Sequence, residues 1–400
     1  MMPYLTTHFG NPSSSHYYGK APKDAIYQAR KSILSLLYPT MYETKSDEEH
    51  KAIIFTGCGT EADNLAIHLA LECNRNNNHT TKKHIVTSNV EHPAVEQYLK
   101  ALQEKKLIDV TYVPVNEEGI VNANDVIEAI QPNTVLVTLM LANNESGALQ
   151  PVKEVSYYCR QHGVLFHTDA AQAVGKVSVA LEENDNGIGP NVDMITIVGH
   201  KFGAPKGVAC LYVQPNCCSK LVPSRGMLLG GGQEHGQRAG TENVPYIVAL
   251  GKASSLLMEY NRDFNQEQWK VNASRMEQLR CRLLENLTSA LGSDMVRVNG
   301  PKDPSMRLPN TLSVGLKGIQ SGTLLEKIQM RVACSAGSAC HSSGGALSSV
   351  LMAMKVPLEY ARGTLRLSVG PTTTEEEVDV ASTIIVEEVK HELQTNNVIA

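Results

Sequence analysis

Three segments carry residues whose types and spacing could do chemistry. The first, Thr56-Gly57-Cys58-Gly59-Thr60-Glu61, follows a β-rich run and opens a helical pattern. Backbone N–H groups at a helix start can hold an anion, and glycine lets the backbone approach it closely. The same stretch, read as Gly57-x-Gly59-x-x-Ala62 with Glu91 after the next strand, fits a loose dinucleotide fingerprint, and a plain tight turn fits it as well. In the second segment, Phe166-His167-Thr168-Asp169-Ala170-Ala171-Gln172, the aspartate is expected at the carboxyl end of a buried strand. That is the edge where parallel α/β sheets place ligands. A carboxylate there can pair with a protonated ring nitrogen, or it can cap the following turn. The third is Val198-Gly199-His200-Lys201-Phe202-Gly203-Ala204-Pro205-Lys206-Gly207. A lysine just past a strand forms an imine with an aldehyde when its pKa is depressed, and is otherwise a solvated charge. Taken together and in this order, an anion cradle, a strand-end carboxylate and a strand-end amine are the parts that hold pyridoxal phosphate. They meet its phosphate, its ring nitrogen and its aldehyde carbon respectively.

Such a site needs a framework of alternating strands and helices. Apolar runs at 52–55, 84–87, 110–115, 135–141, 164–167, 192–198 and 208–213 predict seven strands, with amphipathic stretches such as 61–73 and 152–161 between most of them. This pattern predicts a mainly parallel sheet covered on both faces. After about residue 245 the pattern changes to one long helical region, 244–291, then two strand candidates, a glycine-serine loop and a final helix from Glu375 toward Glu392. We therefore expect a large domain over 1–245 and a smaller C-terminal α/β domain over 246–400.

The bulk numbers exclude several classes. The 400 residues carry a net charge of −5, which gives no basic excess for nucleic acid. No apolar run is long enough to span a membrane, and the start reads as no secretory signal. The nine cysteines form no Cys-x-x-Cys pair, so reduced thiols and no metal site are expected. The location implied is the cytoplasm, although an organelle presequence would stand ahead of residue 1.

The chain resembles the NifS-like class V pyridoxal-phosphate enzymes, the cysteine desulfurases and selenocysteine lyases. The resemblance rests on ordered motifs over almost the whole chain. They include Phe9-Gly10-Asn11-Pro12-Ser13-Ser14, Glu91-His92-Pro93-Ala94-Val95 and Leu141-Ala142-Asn143-Asn144-Glu145-Ser146-Gly147. Beyond the aspartate and lysine segments, they continue with Arg238-Ala239-Gly240-Thr241-Glu242-Asn243, Ser338-Ala339-Cys340-His341-Ser342 and Leu365-Arg366-Leu367-Ser368. It implies a fold-type I transferase architecture with the active site between the domains of a homodimer. It also implies that Lys201 carries the cofactor and that His92 stacks on its ring. Asn144 would lie near the ring oxygen and substrate carboxylate, Gln172 would bond the phenolic oxygen, and Asp169 would meet the ring nitrogen. Gly59, Thr60 and His200 would hold the phosphate, joined by Thr241 from a neighbouring subunit. Arg366 would clamp the substrate carboxylate, and Cys340 would take sulfur or selenium from L-cysteine or L-selenocysteine, leaving L-alanine. Its small polar surroundings suit a reactive thiol, whereas Cys334, Cys159 and Cys210 look structural.

Two departures stand out. Val198 occupies a position where many desulfurases have a phosphate-binding serine; with the Cys340-His341 pair it leans toward the selenocysteine-lyase branch. The resemblance also implies an N-terminal strand and an Ala-Thr-Thr-Pro-like turn, which would precede this chain's first residues. Two other readings compete: a catalytically weakened relative kept as an interaction partner, and a nicotinamide enzyme built on Gly57-x-Gly59. A sulfur or selenium acceptor protein is the expected partner of an active enzyme.

Overall fold

The structure is a computed structural model that describes residues 1–73, 83–183, 187–215, 217, 226–336 and 347–399. It divides into two compact units. The first comprises Met1–Val113, Ala123–Leu141 and Pro151–Trp269; the second comprises Pro114–Asn122, Ala142–Gln150 and Lys270–Ala400.

The first unit is built on seven strands: β1 (Ile53–Thr56), β2 (Lys83–Ser88), β3 (Ile108–Val113), β4 (Thr134–Thr138), β5 (Leu165–Asp169), β6 (Met194–Val198) and β7 (Ala209–Val213). Their order across the sheet is β1-β7-β6-β5-β4-β2-β3. β7 runs antiparallel to both neighbours, while the pairs from β6 to β3 are parallel, so six strands point the same way. β1, β5, β6 and β7 are buried along their whole length, as a sheet covered on both faces requires. The helices Gly59–Cys73 and Pro93–Glu104 pack Leu65, Leu69, Val95 and Leu99 onto Ile85, Leu136 and Leu211. A second helical pair, Tyr17–Leu37 and Val244–Met258, approaches so closely that a Cβ on Gly251 would lie 2.6 Å from the Ala29 Cα.

The predicted continuous helix 244–291 is instead two helices, Val244–Met258 and Gln268–Leu291. A hairpin, β8 (Tyr260–Asn261) and β9 (Gln266–Glu267), separates them. The break is local chemistry. The Asn261 Oδ1 accepts from the N–H groups of Asp263 and Phe264, and Asn265 adopts a φ of 53°, so short polar side chains outcompete the helix for backbone groups. The expectation of nine reduced thiols is also corrected, because Cys73 is disulfide-bonded.

The second unit holds β10 (Val296–Asn299), β11 (Thr311–Leu316), β12 (Ser335–Ala336) and β13 (Thr364–Ser368), all paired antiparallel in the order β10-β11-β13-β12. Leu279, Leu283 and Leu287 from one helix and Ile385 and Val389 from the last helix cover Leu312, Val314 and Leu365. No helix among the described residues is long and apolar enough to cross a membrane.

One buried ion pair ties the helix Tyr17–Leu37 to the sheet and to a strained turn. The Arg30 guanidinium donates to both oxygens of Glu234 at 2.9 Å and to the Ile53 carbonyl, and Glu234 also accepts from the Phe55 N–H at 3.0 Å. Glu234 and His235 both sit at positive φ. Removing one partner of such a pair strands a charge in the interior. Arg30→Ala should therefore lower the stability of the chain by about 3–5 kcal/mol, measured by chemical denaturation. A loss below ~1 kcal/mol, the value of an exposed pair, would show that Glu234 finds water instead.

Candidate active site

The sheet brings the three chemical segments of the first unit to one edge. Thr56 at the end of β1 and Val198 at the end of β6 are both in register with Ala209 of β7, and Asp169 at the end of β5 is in register with Thr196 of β6. The residues after these strand ends therefore emerge side by side at the carboxyl edge.

The cradle is the turn that enters the helix Gly59–Cys73. Its first N–H groups, those of Gly59 and Thr60, have no partner inside the helix itself. A Cβ on Gly59 would lie 2.6 Å from the Val198 Cγ2, so only glycine lets this turn close onto the end of β6. Thr60 is exposed, and so is His200, whose pKa is lowered by burial of part of the ring and by the charges of Lys201 and Lys206. Glu61 folds back to accept from the Gly57 N–H at 2.8 Å, and Arg238 holds its carboxylate, Nε to Oε1, at 2.8 Å. Neither Glu61 nor Arg238 was assigned a role from sequence. The signal was an acid two residues beyond Gly59, placed to turn back on the turn's own amide. Thr241 is exposed next to Gly240, which has a φ of 106°.

Asp169 is buried, and its Oδ1 accepts from the Ala171 N–H at 2.8 Å. The cap reading is therefore present in the structure, and it leaves the second oxygen for another group. Burial pushes the Asp169 pKa up, while the Ala171 hydrogen bond and the charges of His92 and Lys201 pull it down. Those three side chains are thus within electrostatic reach of one another. His92 caps the helix Pro93–Glu104, its Nδ1 accepting from the Ala94 N–H at 3.1 Å. Its neutral ring therefore carries its proton on Nε2. Burial lowers its pKa and Lys201 lowers it further, against the pull of Asp169. Lys201 closes a single turn of 3-10 helix, Gly199–Lys201, and is exposed. Its carbonyl accepts from Lys176 Nζ at 3.3 Å; the same ammonium meets the Gln172 carbonyl at 3.0 Å. Burial brings the Lys176 pKa down to about 8.

Behind Asp169 stands a network that sequence reasoning did not single out. Asp63 is fully buried, its pKa raised well above the usual range by burial and by Asp169, and its Oδ1 has no hydrogen-bond partner. It lies 3.8 Å from His167 Nε2, whose ring is held by Thr138 at 2.8 Å and Thr196 at 3.0 Å and is kept neutral by burial, with a pKa near 3. Glu91 accepts from Ser88 at 2.6 Å and from the Met140 N–H at 3.1 Å, so it is not a carboxylate open to a ribose and the dinucleotide reading loses its acid.

In the second unit, Arg366 on β13 donates from Nη1 to the Asn144 carbonyl at 2.9 Å and from Nη2 to Ser335 at 3.3 Å. Those bonds use two of its five N–H groups. Asn143 shapes the turn that carries Asn144, its Oδ1 accepting from the N–H groups of Glu145 and Ser146 at 2.9 Å. Cys340 lies outside the described residues. Cys334 packs against the core of this unit with a pKa pushed up to about 11 by burial, and Cys159 rises to about 12 for the same reason.

The first-unit residues fit pyridoxal phosphate. A buried carboxylate whose ionised form is penalised by desolvation suits a protonated pyridine nitrogen, and a helix start closed by glycine suits a phosphate.

Burial raises the Glu91 pKa from 4.5 to about 8. The folded chain therefore keeps a proton that the unfolded chain releases, and the stability this group contributes falls as pH rises from 4.5 toward 8. Glutamine does not titrate. Glu91→Gln should fold, and its Tm should rise relative to wild type as pH increases through that window. A difference in Tm that is flat with pH would show that Glu91 is ionised throughout.

Residues 1–380 match the aminotransferase class-V family. The cysteine desulfurase IscS of Clostridium botulinum is 37% identical over 391 residues, covering 98% of this chain and 90% of that protein. A NifS-like protein of known structure superposes with a TM-score of 0.81 at 32% identity, covering 98% of this chain and 94% of that one. The complex of SspA with cysteine superposes with a TM-score of 0.72 at 30% identity, covering 93% and 94% of the two chains. On the family match and on these identities over nearly the whole length, this chain belongs to the class-V aminotransferase family of pyridoxal-phosphate-dependent enzymes.

Proposed function

We propose that this chain is a cysteine desulfurase that takes sulfur from L-cysteine and leaves L-alanine. The observation that carries the reading is the electrostatic group Asp169, His92 and Lys201 at the carboxyl edge of the sheet, beside the cradle at Gly59. Pyridoxal phosphate, when bound, supplies the electron sink for breaking bonds at the substrate's α and β carbons. The protein supplies position and charge.

In this reading Lys201 Nζ would hold the cofactor's aldehyde carbon and would serve as the base for the substrate's α-proton. Asp169 would meet the ring nitrogen and favour its protonated form. His92 would lie against the ring, with its Nε2 proton available for transfer. Gly59, Thr60 and His200 hold the phosphate, Thr241 reaches it from the second subunit of a homodimer, and Gln172 bonds the phenolic oxygen. Asn144 and Arg366 hold the substrate carboxylate, Arg366 through the N–H groups left beyond Asn144 and Ser335. A thiol is a poor leaving group, so sulfur departs to a nucleophile. Cys340, in a run of small polar residues, has the surroundings that a thiolate needs, which the packed Cys334 and Cys159 lack. The sulfur then passes to an acceptor protein, and we place the reaction in the cytoplasm. The residues proposed to hold the cofactor all fall within 1–245, and Cys340 falls within 246–400.

Borohydride reduction followed by peptide mapping tests the cofactor lysine. The label should fall on Lys201, and Lys201→Ala should fold without the bound-cofactor absorption. Label on Lys206, or on Lys176 beside it, would overturn the assignment.

Selenium is the second substrate to compare, because Val198 and Cys340-His341 lean that way. A selenol is more acidic than a thiol and leaves with less help. Cys340→Ala should therefore abolish alanine release from L-cysteine while a substantial rate survives on L-selenocysteine, both assayed under reducing conditions. Equal loss on both would make Cys340 obligatory for selenium, and no loss on cysteine would remove it from the reaction.

A further inference from the structure

The second unit contains a cavity of about 750 Å³ whose lining includes Arg280, Arg297, Lys302 and Arg307, opposed by Glu117 and Glu118. None of these residues belongs to the catalytic reading above. The size is that of a small-molecule site.

The cations are unusual in how they are held. Arg280 keeps 4% of its surface exposed and Arg307 keeps 6%. Arg280 donates Nε to the Pro309 carbonyl at 3.1 Å, and its closest carboxylate, on half-exposed Glu277, is 3.5 Å away. Arg307 donates to the carbonyls of Pro301 at 3.1 Å and Thr311 at 3.2 Å, and among the described residues it makes no ion pair. The Nε atoms of both Arg297 and Arg307 are buried without a hydrogen-bond partner. Buried N–H groups of a charged side chain left unbonded carry a large desolvation penalty, so the two guanidinium groups beside this cavity hold positive charge that the protein compensates poorly. Burial and the charge of Arg280 lower the Arg307 pKa to about 10, as expected of a buried cation lacking its counter-charge. Glu118 is partly engaged, its Oε1 accepting from the Lys302 N–H at 3.3 Å. It does not reach the guanidinium groups with a hydrogen bond or ion pair among the described residues.

We propose that this cavity is a binding site for a small polyanion, whose clustered oxygens are held by the guanidinium groups of Arg297 and Arg307 and the ammonium of Lys302 that line it. The oxygens could be phosphoryl or carboxylate, since guanidinium forks suit both. Four cations stand against Glu117 and Glu118 in the lining and half-exposed Glu277 beside Arg280, so the site keeps a positive excess for an anion.

Calorimetric titration of the holoenzyme, saturated with pyridoxal phosphate so that its phosphate cradle is filled, tests this with two probes. Inorganic pyrophosphate and citrate are each added in phosphate-free buffer of low ionic strength. At least one should bind saturably at one site per chain, and the tighter probe identifies the oxygen chemistry. Arg297→Gln should weaken that binding at least about tenfold, and Lys302→Gln should weaken it less, both with the holoenzyme absorption spectrum unchanged. Arg307→Gln tests the buried position directly. Should that variant not fold, the half-buried Arg297 and exposed Lys302 still decide the matter. Absence of saturable binding for both probes, or affinity unchanged in both Arg297→Gln and Lys302→Gln, would overturn the proposal.

Discussion

The burial of Asp169 at the end of β5 is the constraint around which the first unit is arranged. A carboxylate there faces low dielectric on the sheet side and two further acids, Asp63 and Glu91, whose charges oppose its own. Three ionised carboxylates cannot share such a space. The structure resolves the conflict by environment. Asp63 and Glu91 have pKa values raised by burial. Asp169, besides the Ala171 N–H, is the one of the three that is pulled back by the cationic charges of His92 and Lys201. The acid at the strand end is thus the one best able to stay ionised, and a pyridinium bound beside it would supply the compensating charge in the ligand.

That electrostatic arrangement depends on the sheet. Reversing β7 between β1 and β6 leaves the ends of those two strands level, each opposite Ala209, so the anion-binding turn after β1 meets the lysine turn after β6. The contact is tight enough that Gly59 and Val198 define each other. Any side chain at 59 would strike the valine methyl, and the valine in turn closes the space where a polar residue could have faced the cradle. In the proposed reading the phosphate would then be held by backbone amides and by His200 and Thr60, with Arg238 pairing the nearby carboxylate of Glu61. Strand order, glycine and ion pair serve a single electrostatic end.

Much of this was legible from the chain. The seven strand runs are short, apolar and separated by turn residues, so their periodicity survives without knowledge of the fold. The strand-end positions of Asp169 and Lys201 follow once the strands are known. What periodicity could not show was side-chain competition for the backbone. The Asn261–Asn265 stretch looks helical by its apolar flanks, yet the Asn261 side-chain amide and the positive φ of Asn265 break it into a hairpin. Nor could it show Asp63, which sits on an ordinary helical face and acquires meaning only from neighbours on β5 and β6. Asn143 was hidden beside Asn144 for the same reason. Two adjacent amides read alike in sequence, although the first organises the turn and the second is presented by it.

The cysteines show how packing divides similar residues into different roles. A thiol in an apolar core is held protonated because the thiolate would lose its hydration without gaining a partner. Cys159 and Cys334 obey this, each with a pKa raised by burial, and Cys210 is shifted upward still further. A nucleophile for sulfur needs the opposite surroundings, and among the chain's cysteines Cys340 is flanked by serine, alanine, glycine and histidine. The same low dielectric that raises the pKa values of Asp63 and Glu91 would silence a buried thiol. The chemistry therefore requires two environments in one protein, a dry edge where charge on the cofactor ring is set and a polar one where a thiolate can form.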